Sequence, residues 1–264
     1  MVLIDTGMLG DPEKYIFPFL KSISREPKDI SLIINTHSHG DHIAGNLEIK
    51  KVSGAKVAAH ELAAGKIPGG VDQPHQDGDI LEVGEFEFKV VHTPGHCPDA
   101  TCFLELGNNI LISGDTIQGN GDIAQGLPLI VDVDAYRNSL EKLLRLDMQY
   151  LVLGHLYTSK NEILFGNDAK SFILESLEYT QRYEEEIIRM LQTAEKPLSR
   201  AEIHRKLLKT LCLPSTDELV EYYLRFLSVF SRTTIDAFLS QKLTAELKCK
   251  VTKEPWEDVG SFYV

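Results

Sequence analysis

What this chain lacks narrows it first. No apolar run approaches the roughly 18 residues needed to span a bilayer, so no membrane segment is expected. The opening residues, Met-Val-Leu-Ile-Asp, carry no basic stretch and no small-residue cleavage site, and a secretory leader is not expected. Cysteine is sparse. Cys97, Cys102, Cys212 and Cys249 show no CxxC spacing and read as reduced thiols of a cytoplasmic protein. Basic residues are in deficit, with 27 Lys and Arg against 39 Asp and Glu and a net charge of −12. That disfavours nucleic acid as a partner, because such binding draws on Lys and Arg contacts to phosphate. Internal repeats and low-complexity linkers are also missing. With 264 residues, 43% of them hydrophobic, the chain can build one large domain, or one domain with an appendage.

Against these absences stands one concentration of chemistry. Three histidines and an aspartate fall within six residues, in the run His37-Ser38-His39-Gly40-Asp41-His42. His96 in Thr-Pro-Gly-His, Asp115 in Ser-Gly-Asp-Thr and His155 in Leu-Gly-His complete a set of five histidines and two aspartates. Seven such ligands suffice for two metal ions. A metal pair with open positions generates hydroxide near neutral pH and polarises a carbonyl or phosphoryl group. Imidazole and carboxylate suit zinc, with iron or manganese as alternatives.

Each candidate follows a segment that reads as a strand. Ile30–Asn35 is short, apolar and β-branched and leads into His37. Gly40 is expected to supply an unusual backbone angle before Asp41, and Ile43–Ile49 reads as helical. Phe86–Val91 alternates and runs towards His96, Ile110–Ile112 runs into Asp115, and Tyr150–Leu153 runs into His155. Ligands at strand ends sit on a rigid scaffold while the turns stay open to substrate.

The chain divides into two regions. Residues 1 to about 165 alternate strand-like and helix-like segments. One helix is marked by Tyr136, Leu140, Leu143 and Leu144, with Asp134 as its expected N-cap. Another is marked by Ile16, Phe19, Leu20 and Ile23, although Pro18 falls within it. Residues 166–264 read as a helical appendage with helices over Asp168–Ala194, Ser199–Leu211, Thr216–Phe230 and Thr233–Leu247; glycine almost disappears there. Ile173, Leu177, Ile188 and Leu191 of the first are expected to face the N-terminal part. Ser199 and Glu202 fit a capping box. A DNA-reading role for this region is less expected than a cover over the substrate groove or a dimer contact, since basic residues gather only at His204, Arg205, Lys206 and Lys209.

The pattern His37-x-His39-x-Asp41-His42 with downstream His96, Asp115 and His155 resembles the metallo-β-lactamase fold hydrolases, over roughly residues 1 to 165. The acidic residue of Ile4-Asp5-Thr6-Gly7 matches the family motif that supports the site from behind. The resemblance implies a four-layer αββα sandwich with a winged-helix-like or other helical C-terminal region. It implies that His37, His39 and His96 hold one metal, that Asp41, His42 and His155 hold a second, and that Asp115 bridges them. The full histidine set with Asp115 is similar to the glyoxalase II, lactonase and β-lactamase-like protein 2 branches. One group of secreted antibiotic hydrolases has cysteine in place of Asp115, and oxygen-reducing diiron members have glutamate in place of His39. The long insert of RNA-cleaving members is missing between Asp115 and His155. What the resemblance implies is hydrolysis of an ester, thioester, lactone or amide by a dinuclear centre with a bridging hydroxide. Asp41 or Asp115 would orient that hydroxide. Phosphodiester cleavage by the same ions is the alternative, and a regulatory binding protein acting through its helical tail is another.

Some residues stay open. Tyr157, two residues past His155, is a candidate donor to an oxyanion or leaving group. Cys97 beside His96 reads as a small loop residue, and His60, His75 and His92 read as structural. Relatives usually carry a hairpin before the Asp5 motif; here Met1 stands just before it, which would expose a sheet edge and favour a homodimer.

Overall fold

A computed structural model of the protein describes residues 1–121, 127–157, 163–211 and 221–253, the backbone alone for 221–230. The chain forms two compact units that interleave in sequence. The first comprises Met1–Thr116, Asp147–His155 and Ile163–Gly166; the second comprises Ile117–Leu146, Leu156–Glu162 and Asn167–Val264. Where composition suggested a single boundary near residue 165, the segment Ile117–Leu146 groups with the helical region.

The first unit holds both sheets. Strands β1 (Val2–Ile4), β2 (Leu32–Ile34), β3 (Lys56–His60) and β4 (Gln73–His75) form a four-stranded sheet in that order, all neighbours parallel. Strands β5 (Ile80–Val83), β6 (Phe86–His92), β7 (Thr101–Glu105), β8 (Ile110–Ile112), β9 (Tyr150–Val152) and β10 (Ile163–Phe165) form the second, six-stranded sheet, in the order β10-β9-β8-β7-β6-β5. Its pairs are antiparallel except β8 with β9. Because β6 and β8 flank the antiparallel β7, and β8 runs parallel to β9, the carboxyl ends of β6, β8 and β9 emerge at one edge. That topology is what gathers His96, Asp115 and His155.

Burial explains why the β2 run is continuously apolar. Leu32 and Ile34 face the second sheet, packing with Ala58, Phe88, Val90 and Phe103, while Ile33 faces the helices with Val57 and Ala59. A parallel strand covered on both faces needs apolar residues at every position. On the helical face lie α1 (Phe17–Ser22), α2 (Gly40–Ile43) and α3 (Asn46–Ser53), which bring Leu20, Ile43 and Ile49 to the same cluster. Pro18 falls in the first turn of α1, where its missing N–H costs nothing, and a π-helical turn over Pro12–Ile16 precedes it. Gly40 departs from expectation. It is the first helical residue of α2 and its φ is not positive, so no special backbone angle is required of it.

The second unit is helical, with α4 (Val133–Leu144), α5 (Gly166–Thr193, whose first residue belongs to the first unit), α6 (Arg200–Thr210), α7 (Glu221–Gln241) and α8 (Ala245–Lys248). The N-cap of α4 is Asp132, whose carboxylate accepts from Ala135 N at 2.9 Å; Asp134 sits in the first turn instead. Ser199 and Glu202 form the reciprocal capping box that opens α6. Two helices were expected over Thr216–Phe230 and Thr233–Leu247, yet α7 runs unbroken through the junction; 216–220 lie outside the described residues. The polar residues that read as a break serve the loop before α4. Ser231 Oγ accepts from Leu127 N at 3.0 Å, and Thr234 Oγ1 accepts from Ile130 N at 2.9 Å. Arg137 ties α4 to α5 through Glu184 and Thr180, and Tyr183 meets Phe238 edge to face, joining α5 to α7. Cys97, Cys102 and Cys249 are free thiols, and Cys212 lies outside the described residues. Among the described residues, no helix is long and apolar enough to cross a membrane.

Candidate metal centre

The loop after β2 carries four of the seven candidates. Asn35 and Thr36 continue from the strand and are buried, so the chain reaches His37 already anchored. His39 is extended at φ −72° and ψ 149° and caps α2, which carries Asp41 in its first turn and His42 next. The other three arrive from the second sheet. Gly154 permits the closest approach: a Cβ there would lie 2.6 Å from Asp115 Oδ1. Gly114, at φ +48°, would place a Cβ 2.6 Å from Thr36 Oγ1, so both the space and the left-handed backbone call for glycine before Asp115.

These approaches assemble two contiguous groups. In one, His37, His39 and His96, with Cys97, present ligand atoms within 4.8 Å of one another; in the other, Asp41, His42, Asp115 and His155 do the same. His39 Nδ1 and His96 Nε2 stand 3.0 Å apart. Asp115 lies between the groups. Its Oδ2 is 3.7 Å from His96 Nε2, 4.0 Å from His37 Nε2 and 3.4 Å from His155 Nε2, and its Oδ1 is 3.4 Å from His42 Nε2. Asp41 Oδ2 is 3.3 Å from His155 Nε2 and 3.7 Å from His42 Nε2. Exposure is graded across the site: the side chains of Asp41 and His155 are 42% and 28% exposed, against 5% for His42.

Behind the ligands, Asp5 ties the parts together. Its Oδ2 lies 2.8 Å from His42 Nδ1 and accepts from Thr36 Oγ1 at 2.7 Å, and its Oδ1 accepts from Thr36 N at 2.8 Å. Thr36 Oγ1 is also 3.0 Å from His37 Nδ1. Asp5 adopts φ +56°, a region few residues other than glycine occupy, and Asp tolerates it better than most. One carboxylate thereby fixes the ring orientation of His42 directly and of His37 through a hydroxyl. The loop is braced further by Asn46, which donates to Asn35 Oδ1 at 2.7 Å and accepts from Thr6 Oγ1 at 2.8 Å.

The electrostatics fit a cation. Burial pushes His37 and His39 down, so both are neutral donors of lone pairs. Burial opposes charge on His42, but Asp5 and Asp115 overcome it and raise that ring to about 11. Asp115 and Asp41 raise His155 to about 10. Asp115 stays well below the usual carboxylate range: burial acts against ionisation, and His155 and His42 outweigh it. His37 Nε2, His42 Nε2 and Asp115 Oδ1 are buried without a hydrogen-bond partner. Unsatisfied buried donors and acceptors are costly unless something binds them. A histidine group beside an imidazole-carboxylate group suits divalent ions, whose binding competes with protons for His42 and His155.

Burial pushes the Cys97 thiol up, which disfavours a free thiolate nucleophile. Tyr157 belongs to the second compact unit and is buried at 1% exposure. His60 stacks on His92 with ring centroids 4.0 Å apart, and His75 packs edge-on against Phe103 at 5.4 Å. Sequence reasoning missed Thr36 and Asn46. Thr36 was legible as the residue between a strand and the first histidine, whereas nothing local marks Asn46.

Fold and site together define a two-sheet α/β protein that presents candidate His/Asp metal-binding groups at one edge of its sheets. The sequence profile of the metallo-beta-lactamase superfamily matches residues 1–155, and the chain belongs to that superfamily. It is similar to the hydroxyacylglutathione hydrolase of Maricaulis maris (strain MCS10), 35% identical over 160 residues, which cover 60% of this chain and 59% of that protein. The corresponding protein of Chelativorans sp. (strain BNC1) is 31% identical over 159 residues, covering 59% of each. The chain thus spans 59% of the length of these curated relatives. Among solved structures, a metallo-beta-lactamase family protein from Thermus thermophilus superposes with a TM-score of 0.68 at 18% identity, over 89% of this chain and 82% of that one. A subclass B3 metallo-beta-lactamase of Bradyrhizobium japonicum superposes at 0.54 and 22% identity, over 72% and 84%. These likenesses carry the fold.

Proposed function

We propose that the protein is a metal-dependent hydrolase of carbonyl substrates, with thioesters foremost. The observation that carries this reading is the closeness of Asp115 Oδ2 to members of both groups, 3.7 Å from His96 Nε2 and 3.4 Å from His155 Nε2, with unpaired buried ligand atoms on His37, His42 and Asp115. The similarity to hydroxyacylglutathione hydrolases supports the thioester class.

His37, His39 and His96 would hold one ion and Asp41, His42 and His155 the other, with Asp115 shared. Zinc suits this donor set best, with iron or manganese as alternatives. Divalent ions bound there supply ionised water near neutral pH and an electrophile for the carbonyl oxygen.

The chain's residues set the rest. Buried Asp115 stays ionised and fixes the spacing of the two groups. Asp5 and Thr36 hold His42 and His37 in one orientation. Asp41, the more exposed carboxylate, would accept the proton released as the water ionises and return it to the leaving sulfur. The water oxygen bonds to the acyl carbon, the carbon–sulfur bond breaks, and the products are a carboxylic acid and a thiol.

The test is a hydrolysis panel with zinc- and manganese-loaded protein on thioesters, lactones, β-lactams, bis-p-nitrophenyl phosphate and single-stranded RNA. At least one thioester or lactone is expected to exceed every phosphodiester in kcat/KM. RNA cleavage without acyl hydrolysis, lost in His39→Ala, would reverse the assignment.

A further inference from the structure

The loop 93–100, between β6 and β7, brings a thiol into the metal centre beside His96. Thr93 N donates to Ala100 O at 2.9 Å and closes the base of the loop, and His92 Nε2 lies 2.8 Å from Pro98 O. Within it, Gly95 N and Ala100 N both donate to Cys97 O at 3.4 Å. In this tight turn two adjacent residues reach the same group. Cys97 Sγ and ligand atoms of His37, His39 and His96 all lie within 4.8 Å of one another, and Cys97 is 5% exposed. Cys102, also buried, stands outside that group; its sulfur lies 3.4 Å from Thr93 Oγ1 and 3.5 Å from Ser113 O.

We infer that Cys97 is a fourth protein ligand of the ion held by His37, His39 and His96. This rests on the two-ion hydrolase reading above and adds a residue to one half of it. Imidazole and thiolate together are a donor set that zinc accepts, at about 2.0–2.1 Å from nitrogen and about 2.3 Å from sulfur. A tetrahedral ion with those bond lengths holds its ligand atoms about 3.5 Å apart. Four atoms already within a 4.8 Å span therefore need only small side-chain shifts to converge. In the free chain, burial keeps the thiol protonated and the Asp99 carboxylate acts the same way, while the Asp99 N–H favours the thiolate. A coordinating thiol is deprotonated outright by its ion.

Cys97 so placed gives the two groups different roles. Zinc sites saturated by protein ligands are structural, whereas catalytic sites keep an open position. Three imidazoles, the Cys97 thiolate and the shared Asp115 leave little room for water at the first group. The open position falls to the second, where the side chains of Asp41 and His155 are 42% and 28% exposed, against 1% for His37 and 3% for His96.

The experiment loads the full chain with cobalt(II) in place of zinc and records its absorption spectrum. A cobalt–thiolate bond gives an intense charge-transfer band in the near ultraviolet, which imidazole and carboxylate ligands do not. The expected result is that band in the wild type and its loss in Cys97→Ser. Competition with a chromogenic chelator should show one of the two ions held at least about tenfold more weakly in that variant. Thermal melting confirms that the variant is folded, and Cys97→Ala takes its place if serine is not tolerated.

Bound cobalt without the band, in the wild type, overturns this inference while leaving the hydrolase reading intact. So does a band that persists in the folded variant, which would place the sulfur on another cysteine. A chain that binds neither cobalt nor zinc removes the two-ion reading and this inference with it.

Discussion

His42 and Asp5 stand 2.8 Å apart, Nδ1 to Oδ2, and this contact turns the other ring nitrogen of His42 towards Asp115 at 3.4 Å. Asp5 is thus coupled to the site without touching the space where an ion would sit. Partners of this kind fix ring orientation and raise ligand basicity, and their loss costs about 10–100-fold in metal affinity. Asp5→Ala is therefore expected to weaken binding at the group of Asp41, His42 and His155 by that factor while leaving the fold intact. Competitive titration with a chromogenic chelator measures it. An unchanged affinity would mean that the ring is held by packing alone.

His75 sets a different expectation, about acid stability. The residue is 1% exposed and neither ring nitrogen has a hydrogen-bond partner. Burial, helped by the nearby His60, lowers it from 6.5 to about 4. Between those values the unfolded chain binds a proton that the folded chain does not, so stability is lost as pH falls from about 6.5 towards about 4. At about 1.4 kcal/mol per pH unit over the span from 6.5 to about 4, this group contributes at most roughly 3–4 kcal/mol to that loss. Urea unfolding from pH 7 to pH 4.5 should show a shallower decline in His75→Phe than in the wild type. Equal slopes would place the acid sensitivity elsewhere.

Much of this was legible before the structure, and the reasons are local. The strands ending at Ile34, Ile112 and Val152 announce themselves because buried strands need unbroken apolar runs and the ligand turns interrupt them. The capping box at Ser199 and Glu202 is a four-residue pattern that carries its own geometry. What was illegible depends on distant partners. The break expected near Ser231 and Thr233 is a continuous helix because Ser231 and Thr234 bond a loop about a hundred residues away. Asp132 rather than Asp134 caps α4, since both satisfy the local rule and only the fold chooses. Asn46 braces the ligand loop through Asn35 and Thr6, contacts that no short pattern encodes.

The capping box itself can be weighed. Ser199 Oγ accepts from Glu202 N at 3.2 Å, and Glu202 Oε2 accepts from Ser199 N at 2.8 Å. Ser199→Ala should cost about 1 kcal/mol. Hydrogen exchange at the first turn of α6 should quicken about fivefold, with metal content unchanged. A change in metal content would show that the helical unit supports the site.

Ion removal should also register in stability. Ligand atoms that are orphaned without ions gain partners when ions bind only the folded chain. With free ion at about a hundredfold its Kd, the gain is about 2.7 kcal/mol. For a chain of this size that corresponds to a Tm shift of roughly 5–10 °C. Calorimetry before and after chelation measures it, and re-addition of zinc should restore the original Tm.

The number of ions per chain tests the shared centre most directly. Protein stripped with chelator, reloaded with zinc and freed of excess should carry two equivalents per chain by elemental analysis. Asp115→Ala, which removes the shared carboxylate, should lower both occupancies together. A wild-type maximum of one equivalent, or an Asp115→Ala variant that still holds two, would contradict the shared centre from which the proposed chemistry follows.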